Sequence, residues 1–252
     1  MKTVTSSLTN NVRDTHPCSP AVLAAETVPI LSQLGLLHAH LLTCDPTFFV
    51  STDFERESIA CPLTVAHSVP MRQAEFFFGR MAARKALAAN GVSGVDVPIG
   101  AAREPVWPAG FIGSITHCRQ FAAAAVAPCV GLRGIGIDIE WVANPDDLLA
   151  LRAVAFDAYE HGLLDSLDSA IPYCVLATLL FSAKESIYKS VFASVQRHID
   201  FSAARLVDIC DRGGLMRLEI VEELDAQLPR GLICKVNFQL LRPGLVFTSF
   251  VW

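Results

Sequence analysis

The sequence is poor in charge and has no surplus of basic residues. Charged side chains make up 18% of the 252 residues, and the formal net charge is -5 at pH 7. Proteins that bind nucleic acid through its phosphates normally carry an excess of lysine and arginine. We therefore expect no general nucleic-acid binding. Hydrophobic residues form 52% of the chain, which is enough for a large packed core and argues against global disorder.

Long apolar runs are missing as well. The longest stretch without a charged residue, 27–44, is interrupted by proline, glutamine and two histidines. A membrane-spanning helix needs about 20 predominantly apolar residues. The N-terminal lysine is not followed by the apolar segment of a secretory signal. We predict a loose tail over residues 1–20, no membrane span and a cytoplasmic location.

Cysteine pairs at two-residue spacing are absent too. The chain has eight cysteines, and none has the spacing of a zinc knuckle or a redox motif. Several lie in apolar runs, so we interpret them as buried, reduced thiols, as expected for a cytoplasmic protein.

The length and the local patterns predict an α+β protein made of two halves. A chain of 252 residues exceeds one average domain. Strand and helix patterns occur on both sides of a soft boundary near residue 130, which gives an N-terminal half over 21–130 and a C-terminal half over 131–252. Charge is uneven along the chain: basic residues predominate over 72–103 and acidic residues over 133–168. That polarity would suit a ligand that is anionic at one end and metal-bridged at the other, although solvated helix faces often produce similar swings.

The clearest helix signal is HSVPMRQAEFFFGRMAARKALAANG. Ser68 is placed to cap this helix, Pro70 fits its first turn and Gly91 its end. Arg80 and Arg84 are one turn apart and share a face. Other segments are predicted as a short helix or strand (29–42), a strand entering a loop (48–54), an amphipathic helix (146–164), a long and largely buried helix (173–192) and a C-terminal antiparallel meander.

The stretch GIGIDIE has the period-two pattern of a strand with one polar face. Asp138 and Glu140 then point to the same side. Paired carboxylates can bind Mg²⁺, a hard cation that takes few protein ligands, but an isolated pair of this kind is more often a solvated strand face. Gly134 and Gly136 lie inside the strand pattern with no helix behind them. They therefore indicate close backbone approach rather than a dinucleotide fingerprint.

The stretch FSAKESIYKSVF places Lys184, Glu185 and Lys189 in an otherwise apolar helix. An exposed Glu185–Lys189 pair would stabilise the helix by only about 0.2 to 0.5 kcal/mol. Ser182 with Glu185 also matches a capping box, which is a second structural interpretation. The flanking apolar residues predict partial burial, where unpaired charges are costly. A functional role is therefore favoured.

The stretch GSITHC supplies Thr116 and His117. It has no G-x-S-x-G elbow, and no third member of a hydrolase triad is evident. A phosphate contact from His117 is more plausible than nucleophilic catalysis by Ser114.

These segments, in this order, resemble the phosphopantetheinyl transferases, specifically the enterobactin-synthase-associated branch of the surfactin-type class. The matching stretches are RQAEFFFGRMAARKAL, REPVWPAGFIGSITHC, GIGIDIE and FSAKESIYKSVF. They span 72–192, about half of the chain. The resemblance implies a pseudo-dimer of two similar α+β halves with the active site in the cleft between them.

The resemblance also implies an activity and a set of site residues. Members of this family transfer the phosphopantetheine arm of coenzyme A to a serine of an apo carrier protein, which can be an acyl, peptidyl or siderophore-synthase carrier, with Mg²⁺ as cofactor and 3′,5′-ADP as product. By this resemblance Asp138, Glu140 and Glu185 are metal ligands, and Glu185 and Lys189 are catalytic. The implied coenzyme A contacts are Arg72, Arg80, Arg84, Arg103, Thr116, His117 and Lys184.

Two alternatives stay open at this point. One is a protein of the same fold that binds coenzyme A and metal without transfer, and the other is a Mg²⁺-dependent phosphohydrolase. The role of Glu185 as the base is also open, because a carboxylate that binds Mg²⁺ near a lysine should have a lowered pKa. We expect a monomer, since the pseudo-dimer already buries its own interface.

Overall fold

The computed structural model describes residues 19–252, and the first part of this range forms an N lobe. The lobe contains an antiparallel sheet of strand order β1-β2-β4-β3. The strands are β1 (Val22–Ser32), β2 (Gly35–Cys44), β3 (Phe111–Cys118) and β4 (Phe121–Pro128). The helices are α1 (Asp53–Arg56), α2 (Leu63–Ala66) and α3 (Pro70–Ala89).

The second part of the chain forms a C lobe around an antiparallel sheet of order β5-β9-β8-β7-β6. The strands are β5 (Ile135–Trp141), β6 (Ala204–Cys210), β7 (Leu215–Ile220), β8 (Ile233–Arg242) and β9 (Leu245–Val251). The helices are α4 (Pro145–Ala155), α5 (Ala158–Ser166) and α6 (Tyr173–Val195). Two mixed lobes of this kind confirm the predicted α+β class, and β7, β8 and β9 form the predicted meander.

Helix α3 covers one face of the N-lobe sheet. Pro70 lies in its first turn, as predicted, because a proline there loses no helical hydrogen bond. The predicted cap is wrong: Val69 is the N-cap, and the Ser68 hydroxyl donates instead to the carbonyl of Val65 at 2.6 Å. Phenylalanines of α3, including Phe77 and Phe78, pack with small residues of β4 in one core.

The opposite face of the N-lobe sheet packs against the C lobe. Ile135, Ile137 and Ile139 are at most 1% exposed and share a core with Ile30 and Leu41 of the N lobe. The three isoleucines of β5 therefore turn away from its polar face, as the alternating pattern predicted.

Helix α6 lies directly on the glycine side of β5. A Cβ atom on Gly136 would lie 1.8 Å from the carbonyl oxygen of Ser186, and one on Gly134 would lie 2.0 Å from that of Ser190. The prediction of close backbone approach is therefore confirmed. Only a residue without a side chain allows this spacing, which brings the polar residues of α6 up to the acidic end of β5.

Two local expectations are wrong, and the structure decides a third in favour of its strand alternative. Residues 48–54 contain no strand; they follow a 3₁₀ turn at Pro46–Phe48 and lead into α1. The single helix expected over 146–164 is two helices, because Asp157 starts a new one with a capping box to Glu160. Segment 29–42 is a strand hairpin, with Gly35 at φ +120° in its turn.

The cysteines differ in exposure. Cys118 and Cys234 are buried, and burial raises the pKa of Cys234 to about 12. Cys129 and Cys210 are exposed, so the interpretation of all the thiols as buried is wrong.

Among the described residues no helix is long and apolar enough to cross a membrane. The predicted tail lies almost entirely outside the described residues.

Substituting Gly136 should test the close approach of α6 to β5. We expect Gly136→Ala to lower the free energy of unfolding by about 1 to 3 kcal/mol, because the new methyl group meets backbone that cannot rotate away. Gly162→Ala is the control: it adds a methyl group in open space within α5 and should raise the free energy of unfolding by about 0.4 to 1 kcal/mol. Urea unfolding measures both, and equal stability of the two variants would contradict this packing.

Candidate active site

The two lobes meet where β3 runs beside β5. The Ser114 hydroxyl accepts the N–H of Ile137 at 3.1 Å, and the Thr116 hydroxyl accepts the N–H of Ile139 at 3.2 Å. An edge strand normally leaves such N–H groups unpaired. Here two hydroxyls of the N lobe accept these N–H groups of the C lobe, in the place where the carbonyls of a neighbouring strand would normally accept them. This junction fixes 114–117 beside the acidic end of β5.

The centre of the site is an ion pair between β5 and α6. Asp138 is 2% exposed, and its Oδ1 lies 2.5 Å from Nζ of Lys189. The Thr116 hydroxyl donates to the same Oδ1 at 3.0 Å. The other oxygen, Oδ2, is buried and has no hydrogen-bond partner. A buried carboxylate oxygen without a partner is costly, and it marks a place where a cation or donor is expected.

The remaining acids lie close enough to influence this pair electrostatically. Burial first, then repulsion by Asp138, raises the pKa of Glu140 to about 8, and the charge of Glu185 adds to it. Burial and repulsion by Asp138 also raise the pKa of Glu185. Burial opposes the charge of Lys189, but Asp138 and the two glutamates outweigh it and raise the pKa of this lysine. When ionised, Asp138, Glu140 and Glu185 therefore carry more negative charge than the one ammonium group of Lys189 balances.

The donor set fits a hard divalent cation. Three carboxylates, one with a free buried oxygen, match the oxygen ligands that Mg²⁺ prefers. The fit is chemical rather than geometric: among the described residues, no three or more His, Cys, Asp and Glu side chains are grouped so as to hold a metal ion. In the structure the ammonium of Lys189 occupies the position beside Oδ1 of Asp138.

A basic group lies on the N-lobe side of the site. Arg72 donates to Nε2 of His117 at 3.1 Å and pairs with Glu75 at 3.2 Å. The guanidinium of Arg80 lies 4.3 Å from the centre of the Phe76 ring, and its buried Nε has no hydrogen-bond partner. Burial, then repulsion by Arg72, lowers the pKa of Arg80 to about 10. Such a partly desolvated cation is suited to an anionic ligand.

His117 connects the basic and acidic groups. Burial lowers the pKa of His117. The charges of Arg72 and Lys189 lower this pKa further, and the charge of Glu75 opposes the shift. A neutral imidazole whose Nε2 accepts from Arg72 carries its proton on Nδ1, which lies 3.9 Å from Glu75. The predicted position of His117 near a phosphate site is consistent with this placement.

Two basic residues that are expected to contact phosphate bind groups of the protein itself instead. Arg84 donates to the carbonyls of Glu57 and Ser58 and pairs with Asp96 at 2.6 Å. It therefore fastens a loop to α3, and the expected coenzyme A contact is not supported. The motif identified a basic residue at this position. The carbonyl that Nη2 of Arg84 binds belongs to Ser58, 26 residues away in sequence, and lies outside the motif.

Lys184 is the second of these residues. It is 4% exposed, and its Nζ donates to Glu160 at 2.7 Å and to the carbonyl of Ala155 at 2.8 Å. Glu160 in turn accepts the N–H of Leu206 at 2.9 Å. Burial lowers the pKa of Lys184, although Glu160 opposes the shift. This pair ties α6 to α5 and β6, so a phosphate contact from Lys184 is not supported.

Thr116 is likewise bonded within the protein, so the expected coenzyme A contact from it is not supported. It is 3% exposed, and its hydroxyl is used by Asp138 and Ile139. Its neighbour His117 points to the opposite face of β3, because side chains alternate along a strand. The GSITHC motif therefore directs Thr116 to Asp138 and His117 to Arg72.

Two cavities are lined in part by α6, and both include Tyr188. The larger, of about 420 Å³, is lined by the loop that contains Arg103 and Trp107, by β3 and by Lys189, Tyr188 and Phe192 of α6. The smaller, of about 110 Å³, lies beside Glu185 and is lined by Tyr188, His198 and Phe201, among others. Sequence reasoning identified Arg103 but missed Trp107 and Tyr188 as lining residues. A tryptophan between two prolines and a tyrosine directly before Lys189 were the available signals.

Two family models match the chain. Residues 61–127 match the 4′-phosphopantetheinyl transferase N-terminal domain. Residues 134–232 match the 4′-phosphopantetheinyl transferase superfamily. The first match covers α3, β3 and most of β4, and the second covers β5 and α6, so together they contain the acidic and basic groups described above.

Curated relatives give the same result. The 4′-phosphopantetheinyl transferase Svp of Streptomyces mobaraensis is 35% identical over 175 residues, which cover 69% of this chain and 68% of the relative. Enterobactin synthase component D of Salmonella typhi is 39% identical over 47% of this chain and 48% of its own length. The 4′-phosphopantetheinyl transferase PptT of Mycobacterium tuberculosis is 33% identical over 60% of this chain and 64% of its own. The chain thus spans about half to two thirds of the lengths of these relatives. Because the matches fall on both lobes and include the residues of the cleft, the chain belongs to the 4′-phosphopantetheinyl transferase family and is a transferase.

Proposed function

We propose that the cleft between the lobes is where this transferase moves the phosphopantetheine arm of coenzyme A to a serine of an apo carrier protein, releasing 3′,5′-ADP. The observation that carries this proposal is the buried Asp138–Lys189 pair, which has a free carboxylate oxygen and raises the pKa values of two further acids, Glu140 and Glu185, through the charge of Asp138. An acidic group next to a basic group is the arrangement that a metal-bound diphosphate requires.

We assign the metal ligands to Asp138, Glu140 and Glu185. When bound there, Mg²⁺ would supply positive charge to the diphosphate oxygens. The raised pKa values of Glu140 and Glu185 support this assignment, since burial and repulsion by Asp138 disfavour both charged forms and a bound cation would offset that cost. Glu185 acts as a ligand in this proposal, because a bound cation would lower its pKa and make it a weak base at neutral pH.

Lys189 is the charged group that faces the departing phosphate. Its raised pKa keeps it an ammonium at neutral pH, so it neutralises charge and does not take a proton. A quarter of its side chain is exposed, and it lines the larger cavity. It can therefore contact the ligand while still paired with Asp138.

The two cavities fit the two ends of coenzyme A. The phosphoadenosine end is aromatic and anionic, and we place it in the larger cavity, which contains Arg103, Trp107 and Lys189. Arg72, Arg80 and His117 supply further contacts to phosphate from the N lobe. The pantetheine end is uncharged, and we place it in the smaller cavity beside Glu185. We further propose that the protein is monomeric and cytoplasmic.

The proposed reaction can be tested by the mass of a carrier protein. The apo carrier is incubated with the protein, coenzyme A and Mg²⁺, and its mass should increase by one phosphopantetheine arm. The Asp138→Asn variant should lose nearly all turnover, because the amide removes a charged ligand from a site with few ligands. Release of nucleotide without modification of the carrier would indicate a phosphohydrolase. If the carrier is unmodified and no nucleotide is released, the protein binds coenzyme A without transferring its arm.

The basic group can be tested with two matched arginine variants. Arg80→Ala should weaken coenzyme A binding about tenfold or more, since it removes a partly desolvated cation whose Nε has no hydrogen-bond partner in the protein. Arg84→Ala lies one turn away on α3 but should leave coenzyme A affinity close to that of the wild type, because both terminal nitrogens of Arg84, Nη1 and Nη2, bind the protein itself. Isothermal titration calorimetry measures both, and equal losses in the two variants would contradict the assignment.

The pKa of Glu140 predicts how stability changes with pH in the absence of metal. Its pKa is about 8 in the folded protein against an ordinary value of 4.5. The folded state therefore binds more protons than the unfolded state between these values, and stability falls as pH rises through this window. Thermal unfolding in EDTA at pH 5 to 8 should show this fall, while Glu140→Gln should flatten it and Mg²⁺ should reduce it. The same slope in the glutamine variant would exclude Glu140 as its source.

A further inference from the structure

Thr116 lies at the point where the two lobes and the acidic group meet. It belongs to β3 of the N lobe, whereas Asp138 and Ile139 belong to β5 of the C lobe. Its hydroxyl is within 3.0 Å of Oδ1 of Asp138 and 3.2 Å of the backbone nitrogen of Ile139. The Nζ of Lys189 is 3.4 Å away.

The direction of these hydrogen bonds follows from the partners. A hydroxyl has one donor and two acceptor positions. The N–H of Ile139 and the ammonium of Lys189 can only donate, so the hydroxyl accepts from both and its single proton goes to the carboxylate of Asp138. All of its hydrogen-bonding capacity is therefore used, and it has one possible orientation.

This orientation determines which oxygen of Asp138 stays free. Oδ1 receives the Thr116 hydroxyl and the ammonium of Lys189, while Oδ2 is buried without a partner. Without the hydroxyl, the carboxylate would be held on one side only and its torsion angle would be less restricted. We propose that Thr116 is a positioning residue that holds Asp138 with Oδ2 directed at the metal, so that the N lobe controls a metal ligand of the C lobe. This inference rests on the metal site proposed above.

Ser114 provides a matched comparison. Its hydroxyl makes the same bond across the junction, to the N–H of Ile137 at 3.1 Å, and the structure shows no hydrogen bond from it to an acid. Ser114→Ala therefore removes a bond between the lobes alone. Thr116→Val removes a bond between the lobes together with the contact to Asp138, and it preserves the shape of the side chain. Thr116→Ser preserves the hydroxyl.

The experiment measures Mn²⁺ binding to the intact protein in the presence of coenzyme A, from the electron paramagnetic resonance signal of free Mn²⁺. Thr116→Val should weaken Mn²⁺ binding about 10- to 100-fold, the loss typical when a residue that orients a metal ligand is removed. Thr116→Ser and Ser114→Ala should bind Mn²⁺ as the wild type does. In the transfer assay, Thr116→Val should raise the Mg²⁺ concentration needed for half-maximal rate, and saturating Mg²⁺ should restore kcat.

The possible outcomes separate the inference from the proposed function. Unchanged Mn²⁺ affinity in Thr116→Val, or an equal loss in Ser114→Ala, would overturn the positioning role while leaving the metal site intact. Failure of the wild type to bind Mn²⁺ would remove the metal site and the inference together. Thermal unfolding shows whether each variant is folded, and Thr116→Ala replaces Thr116→Val in the same comparison if the valine does not fold.

Discussion

The ion pair of Asp138 and Lys189 is the interaction on which the site depends. It joins the first strand of the C lobe to the long helix above it, at a distance of 2.5 Å. One oxygen of the carboxylate is used and the other is left buried and unpaired. An unpaired buried acceptor costs free energy in the absence of a ligand, so the fold keeps an unfavourable feature where a cation is proposed to bind.

The rest of the structure brings that pair together and limits its movement. Gly136 in β5 and Gly134 just before it let α6 approach the backbone, which places Lys189 and Glu185 over the acidic face. Hydroxyls of β3 then attach the N lobe to the edge of the same strand. Because the N lobe also carries Arg72, Arg80 and His117, these two contacts fix a basic group beside an acidic one. Neither lobe contains both groups, which explains why the site lies at their junction.

Residues of the same type have different roles within one motif. Lys184 and Lys189 are five positions apart on α6, yet the side chain of the first is 3% exposed and paired with Glu160, whereas that of the second is 25% exposed and lines the larger cavity. Arg80 and Arg84 share a helix face, but only Arg84 meets carbonyls and an acid of its own lobe. A buried charge needs a partner. The position of that partner decides whether the cation is free for a ligand.

The sequence by itself determined the α+β class, the long helices α3 and α6, the polar face of β5 and the close approach at Gly136, because these follow from local periodicity and residue size. The resemblance to a known family, and no local pattern, grouped the acids, Lys189 and the basic residues into one expected site. Only the tertiary structure decided which of them face the cleft. Lys184, Arg84 and Thr116 find partners that are distant in sequence, and no local pattern encodes such contacts. The same holds for the break between α4 and α5, where the capping of Asp157 overrides a continuous amphipathic pattern.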